Sequence, residues 1–470
     1  MPLSSRSHDQ RFGPLPTTME RKSTDGREII RRRMVSLCLI FFITVVITGP
    51  LRKWISPEDH QYIAFMHMPI LALIYFYCLM FQLWPKIRFL LAASILISIS
   101  VIILAVIQAM SGSIVVFEVA TSAWIGYFAF IPLCYIIADY FTRRDVERFA
   151  VVSMVLMFAN AAIMYVQKDY RMDDAINQGF GETSDNVFSG LNLIDELTRP
   201  MGLFTSPLAN SIFITLTMSL CWAFFITSRR TRLGGWFFWP ALIATGASLT
   251  LAGSRYAVLS FALMIVVTIG AGIMTPRAGR RIRGLAQALA AVVMVSAITL
   301  TVFGENADIL SKRFSAAWTE EENVYRSGTL SRLFLETDID EILENMGDTP
   351  FLGYGLGTGS NAAYILGHIP EELYREAPWA KHVNDLGVFF AALYIALRIA
   401  FVIGALAEAV GVLRRYGDPA ALVLLSQSGV QMAVGQTASH VVVGPLTWLF
   451  FGLLLAWTRQ ARAGEEQPTA

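Results

Sequence analysis

Apolar residues run along this chain in blocks too long for strands and too uniform for the one-sided stripe of a soluble helix. The blocks fall at 34–51, 62–84, 89–110, 114–141, 150–166, 207–227, 236–252, 256–274, 285–303, 386–410, 419–436 and 441–458. A hydrocarbon core about 30 Å thick needs about 20 helical residues to cross it. Backbone placed in lipid must also find its hydrogen bonds within its own helix or a closed barrel. The pattern therefore predicts an all-α polytopic membrane protein with about twelve transmembrane helices. Composition agrees: 55% of the 470 residues are hydrophobic, 16% are charged, and the mean hydropathy is +0.53. A soluble domain of this size rarely carries such a balance.

The polar connections alternate in charge. One set holds Arg27, Arg31, Arg32 and Arg33, then Lys86 and Arg88, Arg143, Arg144 and Arg148, and Arg229, Arg230 and Arg232. It continues with Arg277, Arg280, Arg281 and Arg283, Arg414 and Arg415, and Arg459 and Arg462. Lys and Arg beside spans are retained in the cytoplasm, so these connections and both termini are expected there. The other set is short or acidic. Residues 168–206 hold seven Asp or Glu against three Lys or Arg, and residues 304–385 hold fifteen against six. Both long segments are expected outside.

The expected organisation is a disordered cytoplasmic tail at 1–33, spans one to nine at 34–303, and an extracytoplasmic loop domain at 304–385. Three last spans at 386–458 and a short cytoplasmic tail at 459–470 follow. The first apolar block opens with the arginine cluster and has no small-residue cleavage site, so it reads as a retained anchor. A net charge of +1 conceals the topological asymmetry and gives no reason to expect nucleic acid as a partner.

Cys38, Cys78, Cys134 and Cys221 all fall inside apolar blocks, where a thiol acts as a small apolar side chain. The histidines lack the H-E-x-x-H spacing of a zinc enzyme, so no metal and no cofactor are expected. Asp338-x-Asp340 invites a metal reading, but with Glu341 and Glu344 it more simply makes the polar face of a helix.

An outward insertion as long as 304–385 adds nothing to anchoring, which points to chemistry or recognition there. Three outward arginines stand beside Gly, Pro or Ser: Arg199, Arg255 and Arg332. A guanidinium offers a planar fork of donors suited to phosphate oxygens, so their convergence would make a diphosphate clamp. Each also fits interfacial snorkelling or a salt bridge to loop carboxylates. The run Gly353-x-Gly355-x-Gly357-x-Gly359 lacks the G-x-G-x-x-G spacing and a preceding strand, so it reads as a tight re-entering loop. Its backbone N–H groups could form an anion-binding nest. His382 titrates nearest neutrality at the mouth of the tenth span, with Asp385 close enough to orient it; it also fits a plain interfacial anchor. Arg398 lies midway along that span and must turn to a polar partner, with Gln427, Gln431 and Gln436 on one face of the next span as candidates.

Taken in order, these elements resemble the bacterial O-antigen ligase and O-antigen (exopolysaccharide) polymerase family. The resemblance is carried by Arg199-Pro200-Met201-Gly202-Leu203-Phe204, by Ser254-Arg255-Tyr256, and by Ser331-Arg332 followed by Pro350-Phe351-Leu352-Gly353-Tyr354-Gly355-Leu356-Gly357-Thr358-Gly359. Asp385-Leu386-Gly387 follows His382 sooner than the family's acidic-x-glycine element usually follows its histidine.

The resemblance implies a GT-C-like glycosyltransferase, metal-independent and inverting, that moves a glycan from a polyprenyl diphosphate carrier to an acceptor hydroxyl. His382, Arg255 and Arg332 would then be catalytic, with Arg199, Gly355, Gly357, Asp385 and Arg398 binding substrate. Partners would be the lipid-linked saccharide, a glycan or lipid acceptor, membrane lipids and other envelope polysaccharide assembly proteins. A lipid-linked oligosaccharide flippase or transporter would share the spans, although related halves and broken helices are its usual mark. A receptor or assembly scaffold is the third class.

Overall fold

The computed structural model describes residues 18–111, 117–170, 174–177, 200–227, 238–275, scattered positions between 286 and 315, 349–360, 363 and 378–463. Among them every regular element is a helix. The helices are α1 (Thr18–Pro50), α2 (His60–Ala64), α3 (His67–Met80), α4 (Phe89–Met110), α5 (Phe117–Trp124), α6 (Phe130–Tyr140) and α7 (Arg143–Gln167). They continue as α8 (Pro207–Ile226), α9 (Phe238–Ala252), α10 (Arg255–Met274), α11 (Pro378–Tyr416), α12 (Ala420–Val434) and α13 (Val443–Ala463). Wider π-type turns at Leu51–Ile55 and Ile125–Ala129 extend α1 and join α5 to α6.

Among the described residues, eight stretches are long and apolar enough to cross a membrane, from Gly26–Ile55 to Pro378–Tyr416. The chain is a helical, multi-pass membrane protein. Its periphery fits that solvent: Phe76, Phe89, Leu96, Ile103 and Val106 on α3 and α4 are each more than half exposed, as side chains facing lipid are. All four cysteines are buried and free.

α1 begins at Thr18, inside the segment expected as a tail, and Glu28 pairs with Arg31 and Arg32 one helical turn away. Arg31 reaches across to Asp145 and to the Tyr140 carbonyl (3.1 Å). Asp145 closes a capping box with Thr142 at the start of α7. On the same end, Arg88 pairs with Asp139, and Arg459 donates to the Phe141 carbonyl (2.6 Å). Arg31, Arg88 and Arg459 are thereby stapled into one basic end of the bundle.

At the interior, α8 lies between α7, α9, α10 and α12, and almost all of it is buried. Pro207 supplies its first turn, and the Ser206 hydroxyl accepts the Ala209 N–H (3.3 Å). α13 packs along α6 and α12. At 15 residues each, α9 and α12 are shorter than a full crossing. α12 stops at Gly435 because its last carbonyls turn aside to Arg398, and the chain returns through residues 435–442 into α13.

The 39-residue α11 starts at Pro378, ahead of the expected span boundary, and breaks at Gly387 (φ 69°, ψ 169°). A side chain there would be strained by the left-handed backbone. A Cβ would also come within 2.1 Å of the Phe351 carbonyl oxygen. The break is where the glycine run docks. Most of the expected 304–385 loop, including Arg332, and also Arg199 and the first seventeen residues lie outside the described residues.

Candidate functional site

The site is built where segment 350–360 settles against the broken start of α11. The Tyr354 N–H donates to the Asn384 carbonyl (2.8 Å), and the Gly353 N–H to the Pro350 carbonyl (2.7 Å). Gly353, Gly355 and Gly357 all have positive φ, so the segment folds as a succession of tight turns that enter the protein. Gln108, at the end of α4, clamps it. Its Nε2 donates to the carbonyls of Leu352 (2.5 Å) and Asp385 (2.9 Å), while its Oε1 accepts the Leu356 N–H (2.9 Å).

Asp385 lies beneath these turns, wholly buried. Its Oδ1 accepts the Gly359 N–H (2.6 Å) and the Thr358 hydroxyl (3.2 Å), and its Oδ2 accepts the Tyr127 hydroxyl (2.8 Å). The glycine run thus does present a backbone N–H, that of Gly359, to an acidic group, and that group is the chain's own Asp385. Gly355 and Gly357 contribute turn geometry: their carbonyls accept the N–H groups of Thr358 (3.1 Å) and Ser360 (2.9 Å).

Tyr127 sits in the π-type turn between α5 and α6, which turns its hydroxyl into the bundle. The same hydroxyl meets His382 Nδ1 at 2.8 Å. On the far side of the ring, Arg398 Nη1 donates to His382 Nε2 (2.8 Å). A guanidinium has donors only, so Nε2 accepts and the imidazole proton is assigned to Nδ1. The chain then reads in one direction: Arg398 to His382, His382 to Tyr127, Tyr127 to Asp385. Tyr394 closes it from below, stacked edge-on to both the Tyr127 ring (4.7 Å between centroids) and the His382 ring (5.1 Å).

Arg398 spends its remaining donors on backbone. Nε reaches the Met432 carbonyl (2.6 Å), and Nη2 the carbonyls of Gln431 (3.1 Å) and Gly435 (2.6 Å). The glutamine side chains expected to receive it go elsewhere. Gln427 Nε2 donates to the Ser260 carbonyl (2.9 Å), Gln431 Nε2 to the Tyr256 hydroxyl (2.5 Å), and Gln436 Oε1 accepts from Lys381 (3.5 Å). The end of α12 supplies the acceptors instead, because the last carbonyls of a helix project past its end with lone pairs to spare, even where Gln431 also takes the Gly435 N–H (2.9 Å).

Arg255 opens α10, half-buried, with the Ser254 hydroxyl accepting the Ala257 N–H (3.4 Å) as the cap. Its neighbour Tyr256 takes the Gln431 amide, so this turn touches the element that holds Arg398. Of the residues singled out in the sequence, His382, Asp385, Arg398, Gly355 and Gly357 are brought into one site, and Arg255 stands at its edge. Arg199 and Arg332 lie outside the described residues. Tyr127, Gln108 and Thr358 join the site without having been singled out. Tyr127 and Gln108 are polar groups inside apolar blocks, and that was their one available signal.

No protein-family model matches this chain, and no curated protein matches it.

Proposed function

We propose that the protein transfers a glycan from a polyprenyl diphosphate carrier to an acceptor hydroxyl at the outer face of the bacterial inner membrane. It would do so as a metal-independent, inverting glycosyltransferase of the O-antigen ligase or polymerase type. In this reading about twelve spans form a GT-C-like bundle with both termini in the cytoplasm. The observation that supports it most is the buried series Arg398, His382, Tyr127, Asp385 beneath the glycine turns, with Arg255 at its edge. A carboxylate, a phenol and an imidazole sharing protons inside a membrane protein is an acid–base device, costly to bury without a use.

The chemistry follows from these groups. The acceptor hydroxyl oxygen attacks the anomeric carbon as the carbon–oxygen bond to the diphosphate breaks. The hydroxyl proton is taken by Asp385 at the Oδ1 that Thr358 and Gly359 now fill, while His382 donates to Tyr127 and Tyr127 donates to Oδ2, which holds the carboxylate in place. Arg255, with Arg332 and Arg199, balances the charge gathering on the departing diphosphate. Arg398 fixes the imidazole tautomer and keeps the ring from carrying a second proton.

The test is purified protein in detergent with a lipid-linked oligosaccharide and candidate acceptors, with excess chelator and no membrane gradient. Released polyprenyl diphosphate together with a longer or newly attached glycan is the expected result. Substrate recovered with its diphosphate linkage intact in every condition overturns the reading in favour of a flippase. In the same assay Arg255→Lys should lose most turnover while inserting normally, because an ammonium cannot reproduce the guanidinium fork. Wild-type transfer by both Arg255→Lys and Arg255→Ala would make Arg255 an interfacial anchor.

Orientation has its own measurement. Phe351 is 75% exposed beside the glycine turns, and Arg415 is exposed at the basic end. In intact cells Phe351→Cys should react with an impermeant maleimide and Arg415→Cys should not; the reverse pattern inverts the topology.

A further inference from the structure

A second set of cations is buried at the glycine-turn end, in groups that the acid–base series does not use. Arg52 and Lys53 occupy the π-type turn that ends α1, and they are 2% and 1% exposed. Gly49, just before them, lies against segment 201–206 so closely that a Cβ would meet the Leu203 carbonyl oxygen at 1.9 Å. That contact seats the turn. Arg52 Nη1 donates to the Thr205 hydroxyl (3.2 Å), and Lys53 Nζ to the Gly202 carbonyl (3.2 Å).

The next residue, Ser206, brings in a third element. Its hydroxyl lies 3.5 Å from His440 Nε2. His440 Nδ1 accepts the N–H groups of Val442 (3.1 Å) and Val443 (3.3 Å), which assigns the ring proton to Nε2 and makes that face a donor. His440 lies in the connection between α12 and α13. Burial, then the positive charges of Lys381 and Arg52, push its pKa down to about 3. Both cations therefore act on the same imidazole. Lys381, wholly buried, donates to Gln436 in that connection (3.5 Å).

Donors and positive charge thus converge from α1, segment 201–206, the start of α11 and the 435–442 connection. Among the described residues Lys53 forms no ion pair, and its ammonium is held by a neutral carbonyl. A buried ammonium so placed is costly unless an anion completes the site. A guanidinium fork, an ammonium, an imidazole N–H and two hydroxyls suit an anion with several oxygens pointing in different directions.

We propose that Arg52, Lys53, Lys381 and His440 form a binding site for a phosphate or diphosphate group, separate from the His382–Tyr127–Asp385 series. The site requires binding only and stands whether or not the protein transfers glycan. If it does, the cluster is a resting place for the carrier's diphosphate beside the acid–base groups.

Purified protein in detergent is titrated with inorganic pyrophosphate and, separately, with farnesyl diphosphate, following the thermal midpoint and the heat of binding. At least one of the two should bind and raise the wild-type midpoint. Tighter binding of farnesyl diphosphate assigns a lipid-linked group, and equal binding assigns the free anion. Lys53→Met keeps the volume and removes the charge, so it should weaken binding tenfold or more with an unliganded midpoint equal to or above wild type. Lys53→Arg should retain binding, and Arg52→Gln should lose it. No binding of either probe to the wild type, or wild-type affinity in both Lys53→Met and Arg52→Gln, overturns the proposal.

Discussion

Arg398→Leu is expected to abolish transfer and to lower the stability of the detergent-solubilised protein on the order of 3 kcal/mol. Four acceptors lose their donor at once: His382 Nε2 and the carbonyls of Gln431, Met432 and Gly435. The Gln431 carbonyl keeps the Gly435 N–H (2.9 Å) and the Gly435 carbonyl the Thr437 N–H (2.8 Å), so the loss falls mainly on His382 Nε2 and the Met432 carbonyl. Each buried acceptor left without a partner costs about 1–3 kcal/mol, offset in part because leucine removes a charge that is itself expensive to bury. Arg398→Lys separates fold from chemistry. Its ammonium can hold the end of α12, so it should regain part of the thermal midpoint. A single point of charge cannot serve the imidazole and three carbonyls together, so transfer should stay lost. Full activity in Arg398→Lys would mean that the imidazole needs only a nearby positive charge.

The second large effect is expected at Tyr127. Tyr127→Phe removes one oxygen and leaves the ring packed against His382 and Tyr394. It cuts the link that the Tyr127 hydroxyl makes between the imidazole and the carboxylate. If Asp385 takes the acceptor proton and needs the Tyr127 hydroxyl, itself held by His382, to orient it, transfer should fall roughly 100- to 10,000-fold, the range of general acid–base catalysis. His382→Ala should fall as far, and the double variant no further than either alone, because both break one path. Diphosphate binding at Lys53 should be untouched in all three. A loss under tenfold in Tyr127→Phe would leave His382 and Asp385 as positioning groups.

The architecture and part of the site were legible in the residues because membrane insertion is written in runs and charges. Arg398 had to turn inward, since lipid offers a guanidinium nothing, and it does. The glycine run read correctly as a re-entering loop, because four glycines at every second position carry too little side chain to pack a helix. Its docking partner was hidden: the break at Gly387 that receives it looks, in sequence, like one more glycine in an apolar span. Tyr127 was hidden for a different reason. A tyrosine within Ile125-Gly126-Tyr127-Phe128 reads as one aromatic among many, and only the wider turn aims its hydroxyl at partners more than 250 residues away. The glutamines of α12 misled because side-chain amides looked like the available acceptors, whereas the helix end supplied better ones.

That separation along the chain has a consequence for biosynthesis. Tyr127 and His382 stand 255 positions apart, and Gln108 and Asp385 stand 277 apart. At about 5–20 residues per second a ribosome takes roughly 10–60 s to cover that distance. Throughout that interval the fourth span is already made, yet its phenol has neither imidazole nor carboxylate to bond, and the amide closing α4 has no glycine segment to clamp. The polar centre therefore assembles late, when α11 arrives, and until then Tyr127 and Gln108 must wait in the bilayer with these polar groups unanswered.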